Sequence, residues 1–326
     1  MTATAGETRA ATPDGHGAAA EEVVLRVAGL TKRYGARTVV DGLDLAVRRG
    51  EVFGFLGPNG AGKTTAISMM LGLVRPAAGR IEILGHDTAH GFQEALAHVG
   101  AIVETPTFYP YLSGLDNLRV LALARGGVPE GRRAEVLALV GLKGRERDRF
   151  GTYSLGMKQR LGIAGALLHE PDLLILDEPS NGLDPAGIVE IRNLILQLAA
   201  QGQTIILCSH LLAEVRQVCD RVAILAQGQV VAQGAVADLL RQGAQTVLRV
   251  DDPARALALL RAVPWIEAAA RDGDRLLLTM PADRDFALGG LLADQGFIIG
   301  ELHRQERDLE RYFLEITAGA GPADVS

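Results

Sequence analysis

One stretch of eight residues decides most of what this chain can fold into. Gly57-Pro58-Asn59-Gly60-Ala61-Gly62-Lys63-Thr64 follows a short apolar run at residues 51–56 and precedes a helical stretch from about 63 to 73. The spacing is G-x-x-x-x-G-K-[ST], with every fixed position filled. Glycines let backbone N–H groups converge on phosphate oxygens where a Cβ would obstruct them. The Lys63 ammonium can reach the β- and γ-phosphates, and the Thr64 hydroxyl can ligate Mg²⁺. Thr65 completes the set of phosphate-binding candidates, and the helix behind points its positive end at the phosphates.

A cradle of this kind needs a partner strand that ends in carboxylates. Leu173-Leu174-Ile175-Leu176 is an apolar run followed directly by Asp177 and Glu178. A buried strand ending this way delivers its carboxylates to the carboxyl edge of a sheet, where nucleotides bind. Asp177 is expected to hold Mg²⁺ through water, and Glu178 to polarise the attacking water as general base. Further strands are expected at 23–27, 38–40, 43–47, 80–84, 100–104 and 204–208, and a hairpin from 222–225 to 230–232 around Ala226-Gln227-Gly228-Gln229. Helices are expected at 115–124, 132–140, 154–168 and 185–199. Buried strands alternating with helices argue for a mostly parallel sheet covered on both faces.

At 326 residues the chain is about right for two domains. Residues 1–22 read as a flexible tail without periodicity, 23–240 as the nucleotide-binding domain and 318–326 as a second tail. Residues 245–317 carry no phosphate pattern, and their expected order β-α-β-β-α-β is a split βαβ plan for a small accessory α+β domain. Its expected strands are 247–250, 266–269, 276–279 and 297–299, with helices at 254–262 and 286–293. Its candidate core is Val247, Leu248, Val250, Leu257, Leu260, Ile266, Leu276, Leu278, Phe286, Phe297 and Ile298. A closing helix at 309–316 places Leu309, Phe313 and Ile316 on one face, to dock either on its own domain or on a second copy. Neither a signal-peptide run nor about 18 consecutive apolar residues occurs. Cys208 and Cys219 are too few for a disulfide framework and fit a reducing cytosol. Lys plus Arg is 33 against 39 for Asp plus Glu, a net charge of −6 that argues against nucleic acid as partner.

With cradle and carboxylates in place, the sequence resembles the ATP-binding cassette (ABC) ATPases, the nucleotide-binding subunits of ABC transporters. Between the two motifs lies Tyr153-Ser154-Leu155-Gly156-Met157-Lys158-Gln159-Arg160, similar to the family's signature, although Leu155 and Met157 replace its commonest Gly and Gln. Ser154 caps a helix whose free N–H groups form an anion site. In this family Ser154 and Gly156 would grip the γ-phosphate bound by the opposite subunit. Asn181, Gly182, Leu183 and Asp184 resemble the loop that crosses the dimer interface, His210 stands where the family places its switch histidine, and Tyr34 where an aromatic ring stacks on adenine. The family usually ends the strand into the helical layer with glutamine. Here the strand ends Ile102-Val103-Glu104, and Glu104 is either a Mg²⁺-sensing ligand or a solvent-facing residue before a loop.

The resemblance covers residues 23–240 and implies a P-loop NTPase cassette: a mostly parallel sheet, an antiparallel β subdomain and a helical subdomain. It implies ATP and Mg²⁺ as ligands, and a dimer of two copies sandwiching two ATP. It also implies a separate integral membrane permease as partner, and a peripheral place on the inner face of the cell membrane. Residues 104–110 and 153–157, with the ending at 308–317, look like the branch near bacitracin and lantibiotic exporters. Phe108, Tyr109 and Tyr111 would then either contact the permease or form a local core under a loop. A rival class, ABC ATPases acting on DNA or the ribosome, carries two cassettes or a long coiled coil. This chain has one cassette and no sustained heptads between Thr65 and Tyr153.

Overall fold

The computed structural model describes residues 22–241, 245–305 and 313. Apart from Glu22, which pairs with Arg49 at 2.8 Å, the two expected tails, and Leu309 and Ile316 of the expected closing helix, lie outside the described residues. The described chain opens with an antiparallel pair, β1 (Val23–Tyr34) and β2 (Arg37–Arg48), longer than the short strands expected. Then come β3 (Val52–Leu56), α1 (Lys63–Met70), β4 (Ala78–Ile83), a two-residue β5 (His86–Asp87), α2 (Phe92–Ala97) and β6 (Val99–Ile102). A helical layer follows, made of α3 (Gly114–Ala124), α4 (Arg132–Leu139) and α5 (Leu155–Leu167). Ser113 and Ser154 cap α3 and α5 by accepting backbone N–H bonds three residues on.

The chain then runs through β7 (Leu173–Asp177), α6 (Pro185–Ala200), β8 (Thr204–Ser209), α7 (Leu212–Val218), β9 (Arg221–Ala226), β10 (Gln229–Ala235) and α8 (Val236–Arg241). Six of these strands form one sheet in the order β10-β9-β3-β8-β7-β6, parallel except for the β9–β10 hairpin. A separate antiparallel sheet, β2-β1-β4-β5, carries the β subdomain. The central strands are apolar throughout because both faces are covered. Leu174, Leu176, Ile205 and Leu207 pack toward the helical layer, while Leu173, Ile175, Ile206 and Cys208 pack toward α1 and the β subdomain. Each such buried Leu or Ile contributes about 1.5–3 kcal/mol.

After Arg241 the order is β11 (Gln245–Val250), α9 (Pro253–Leu260), β12 (Ala268–Asp272), β13 (Arg275–Thr279), α10 (Asp285–Asp294) and β14 (Ile299–Gln305). The sheet order β12-β13-β11-β14 inserts β13 between β11 and β12, the split βαβ arrangement. Two expected core members are corrected. Phe286 is 95% and Ile298 72% exposed, because α10 turns Leu288 and Leu292 inward and the chain enters β14 one residue past Ile298. Phe297 stays buried but belongs to the turn that closes α10, where its N–H donates to Leu292 O over 3.0 Å. Phe313, in helical conformation, is half-buried against the cassette's core rather than against the small C-terminal core.

Candidate functional site

The ends of β3, β7 and β8 meet at one edge, since Leu56 is in register with Ser209 and Asp177 with Cys208. At the end of β3 the chain turns through the glycine-rich segment. A Cβ on Gly57 would stand 2.5 Å from Leu225 O, and one on Gly62, at φ +104°, 2.6 Å from Val39 O. Only glycine fits either place. Unlike α3, α5 and α6, which are capped by Ser113, Ser154 and Asp184, α1 has no side-chain cap, so its leading N–H groups stay available to an anion.

Lys63 opens α1 and is 6% exposed. Its Nζ donates to Gly57 O over 2.7 Å and stands 3.5 Å from Glu178 Oε1. The other carboxylate oxygen of Glu178 lies 2.6 Å from His210 Nδ1. Glu178 is held at φ +49°, a left-handed conformation that costs a non-glycine residue about 1–3 kcal/mol and persists only where its surroundings over-determine it. The turn is what swings the Glu178 carboxylate from the strand's end toward Lys63 and His210. Asp177 is 1% exposed. Burial pushes its carboxyl above the ordinary range, while hydrogen bonds from the Thr64 hydroxyl and the Cys208 thiol hold it down.

These groups border a cleft of about 440 Å³ lined by Asn59, Gly60, Lys63, Thr64, Thr65, Glu178, Asn181, His210 and Tyr34. Tyr34 ends β1 with its ring 52% exposed and the Lys32 ammonium 4.8 Å from the ring centre. Gly57, Pro58 and Ala61 lie at the base of the turn, where Ala61 N–H donates to Pro58 O. Arg37 and Val39 also line the cleft and were missed by sequence reasoning. The available signal was the cross-strand pairing of Arg37 with Tyr34.

Three sequence candidates stand apart from this cleft. Glu104 is exposed at φ +58° just past β6. Ser154 caps α5, and a Cβ on Gly156 would lie 3.9 Å from Leu183 Cδ2, so the signature stretch packs on the loop after Glu178 rather than on the chain's own cradle. The three aromatic residues divide: Phe108 packs edge-on to Phe150 at 5.2 Å within the helical core, whereas Tyr109 and Tyr111 form an exposed pair at 5.8 Å.

Residues 40–181 match the family described as ABC transporter. The chain is 40% identical to the bacitracin transport ATP-binding protein BcrA of Enterococcus faecalis over 93% of this chain and 99% of the relative. It is 35% identical to the linearmycin resistance ATP-binding protein LnrL of Bacillus subtilis (strain 168), covering 90% of this chain and 98% of the relative. A solved ATP-binding subunit of an ABC transporter is 36% identical with a TM-score of 0.61, covering 67% of this chain and 92% of that one. The chain belongs to the ATP-binding subunits of ABC transporters, ATPases whose hydrolysis is coupled to transport. Such subunits bind ATP, dimerise and pair with transmembrane subunits. Among the described residues, no helix is long and apolar enough to cross a membrane.

Proposed function

We propose that this chain powers an exporter of antibiotic-like or lantibiotic-like molecules, with two copies enclosing two ATP on the inner face of the cell membrane. The observation that carries the catalytic part is the Glu178 carboxylate, held between Lys63 Nζ at 3.5 Å and His210 Nδ1 at 2.6 Å at the mouth of the phosphate cradle. Lys63 and the backbone N–H groups of Gly60, Gly62, Lys63, Thr64 and Thr65 bind the phosphates, and Tyr34 stacks on the base. Glu178 takes the proton of the attacking water, and His210 orients that carboxylate.

The residues around Asp177 suit a hard cation. Its Oδ1 is buried without a partner, beside the Thr64 hydroxyl. Among the described residues no cluster of three or more His, Cys, Asp or Glu could hold a metal. That fits Mg²⁺, which keeps waters and binds through one or two protein ligands plus substrate phosphates. Thr64 and Asp177 would hold it, and when bound it would neutralise charge developing on the phosphates. Glu104, exposed beyond the cleft, enters this set only if its loop moves inward when ATP binds.

Ser154 and Gly156 complete the partner copy's site in this reading, since in their own chain they face the interface loop 181–184 instead of the cradle. The exposed Tyr109–Tyr111 pair and the neighbouring groove of about 400 Å³ lined by Pro106, Phe108, Leu121, Arg125 and His169 form the surface for the permease. The names of the bacitracin and linearmycin relatives support an antibiotic-class substrate. Glu178→Gln tests the chemistry: ATP binding is retained, hydrolysis falls about 10²–10⁴-fold, and an ATP-bound dimer accumulates. A wild-type rate in this variant overturns the assignment of the base.

A further inference from the structure

A buried polar cluster lies directly behind Glu178 and His210, and the reaction as written uses none of it. Glu214, the third residue of α7, is 7% exposed. Ser209, the last residue of β8, donates from Oγ to Glu214 Oε2 over 3.3 Å, and the same Oγ accepts the Leu211 N–H at 3.0 Å. Ser180, two residues after Glu178 and itself 7% exposed, faces the same carboxyl group. Glu214 Oε1 is buried without a partner.

Helix packing alone gives no reason for a carboxyl group here. The buried face of α7 is otherwise made of Leu212, Val215 and Val218, and a leucine at 214 would continue it without the cost of burying a carboxyl group. Burial pushes the Glu214 carboxyl above its ordinary range even though the two serines act in the opposite sense. What distinguishes Glu214 is where its two partners sit. Ser180 belongs to the loop that leaves Glu178, whose left-handed backbone needs support, and Ser209 immediately precedes His210.

We propose that Glu214 is a positioning residue for hydrolysis: its carboxyl group, bonded to Ser209 beside His210 and facing Ser180 on the loop that leaves Glu178, ties the two loops together, so that they move as one unit and Glu178 and His210 keep their 2.6 Å contact. The proposal rests on the roles given above to Glu178 and His210. Glu214 touches neither the cleft nor the cradle, so its effect falls on turnover and not on nucleotide binding.

The experiment measures steady-state ATP turnover and ATP affinity for the full chain with Glu214→Leu and Glu214→Gln. Leucine keeps the burial and removes the acceptor; glutamine keeps an accepting oxygen at the same reach. Glu214→Leu lowers kcat about 10- to 100-fold, the scale of an ångström-sized misplacement of a reacting group. ATP affinity stays at the wild-type value, and Glu214→Gln restores turnover. Adding Ser180→Ala or Ser209→Ala to Glu214→Leu brings no further loss, because the carboxyl group between them is already gone. A wild-type kcat in Glu214→Leu, or a glutamine variant as slow as the leucine one, overturns the proposal. So does a loss of turnover matched by a loss of ATP affinity. Glu178→Gln is run in parallel. If it is inert while Glu214→Leu is fully active, the tie between the loops falls alone; if it turns over at the wild-type rate, the assignment of the base falls whatever Glu214 does.

Discussion

The six-stranded sheet of the cassette and the four-stranded sheet after Arg241 use their surfaces in opposite ways. In the first, alternate residues of β3, β7 and β8 are buried on both sides. In the second, Leu248, Val250, Leu276 and Leu278 pack into the small core with residues of α9 and α10, while Arg249, Arg275 and His303 on the other face gather around Glu301 at 3.8, 3.1 and 3.4 Å. A sheet covered on both faces has only its strand ends to offer to a ligand. Gly57, Glu178 and His210 stand at those ends, at one edge. A sheet with one polar face spends its charged residues along that face, and among the described residues its strand ends gather no comparable group. The location of the chemistry thus follows from which part of each sheet is left free.

The comparison can be broken at the strand-end edge first. Gly156→Asp, placed on the surface assigned to the partner copy's site, should abolish the ATP-dependent dimer in a Glu178→Gln background while ATP binding by the monomer survives. Size-exclusion chromatography with and without ATP reads this, and an undiminished dimer removes Gly156 from the shared site. Next in size are matched core truncations. Leu176→Ala and Leu278→Ala should each cost about 2–5 kcal/mol in urea denaturation. Only Leu176→Ala, beside Asp177 and Glu178, should also weaken ATP hydrolysis; equal loss of hydrolysis in both would show that the sheets are not functionally distinct. The smallest effect belongs to the open face. Glu301→Ala should cost about 1 kcal/mol or less, and the loss should shrink in high salt, because its ion pairs are partly exposed. A larger loss that ignores salt would mean that this face is covered.

The cradle and Asp177–Glu178 were legible because each is a short pattern fixed against a strand end, and His210 came only through the family resemblance, which puts a histidine after the strand 204–208. Ser154 was legible as a cap for the same local reason. The Ser180–Glu214–Ser209 connection was not, because its meaning arises only when segments far apart in the sequence are brought together. Short elements were also missed. The seven residues of α7 and the six of α2 give a helical period too few turns to stand out from their surroundings. Phe286 failed for a different reason: an aromatic ring near the start of an apolar helix reads as core, but the inward stripe of α10 is set by Leu288 and Leu292, which leaves the ring outside. Phe108 and the two tyrosines could be separated only by seeing that Phe150 was there to receive the first of them.

Phe313 returns to the cassette core after the chain has passed through the whole of the C-terminal sheet. The 245–305 unit is therefore moored at both of its ends, by its covalent entry after Arg241 and by this seated ring. A body on a single mooring swivels freely in three angles. With a second, it cannot drift far from the nucleotide cleft without unseating that ring.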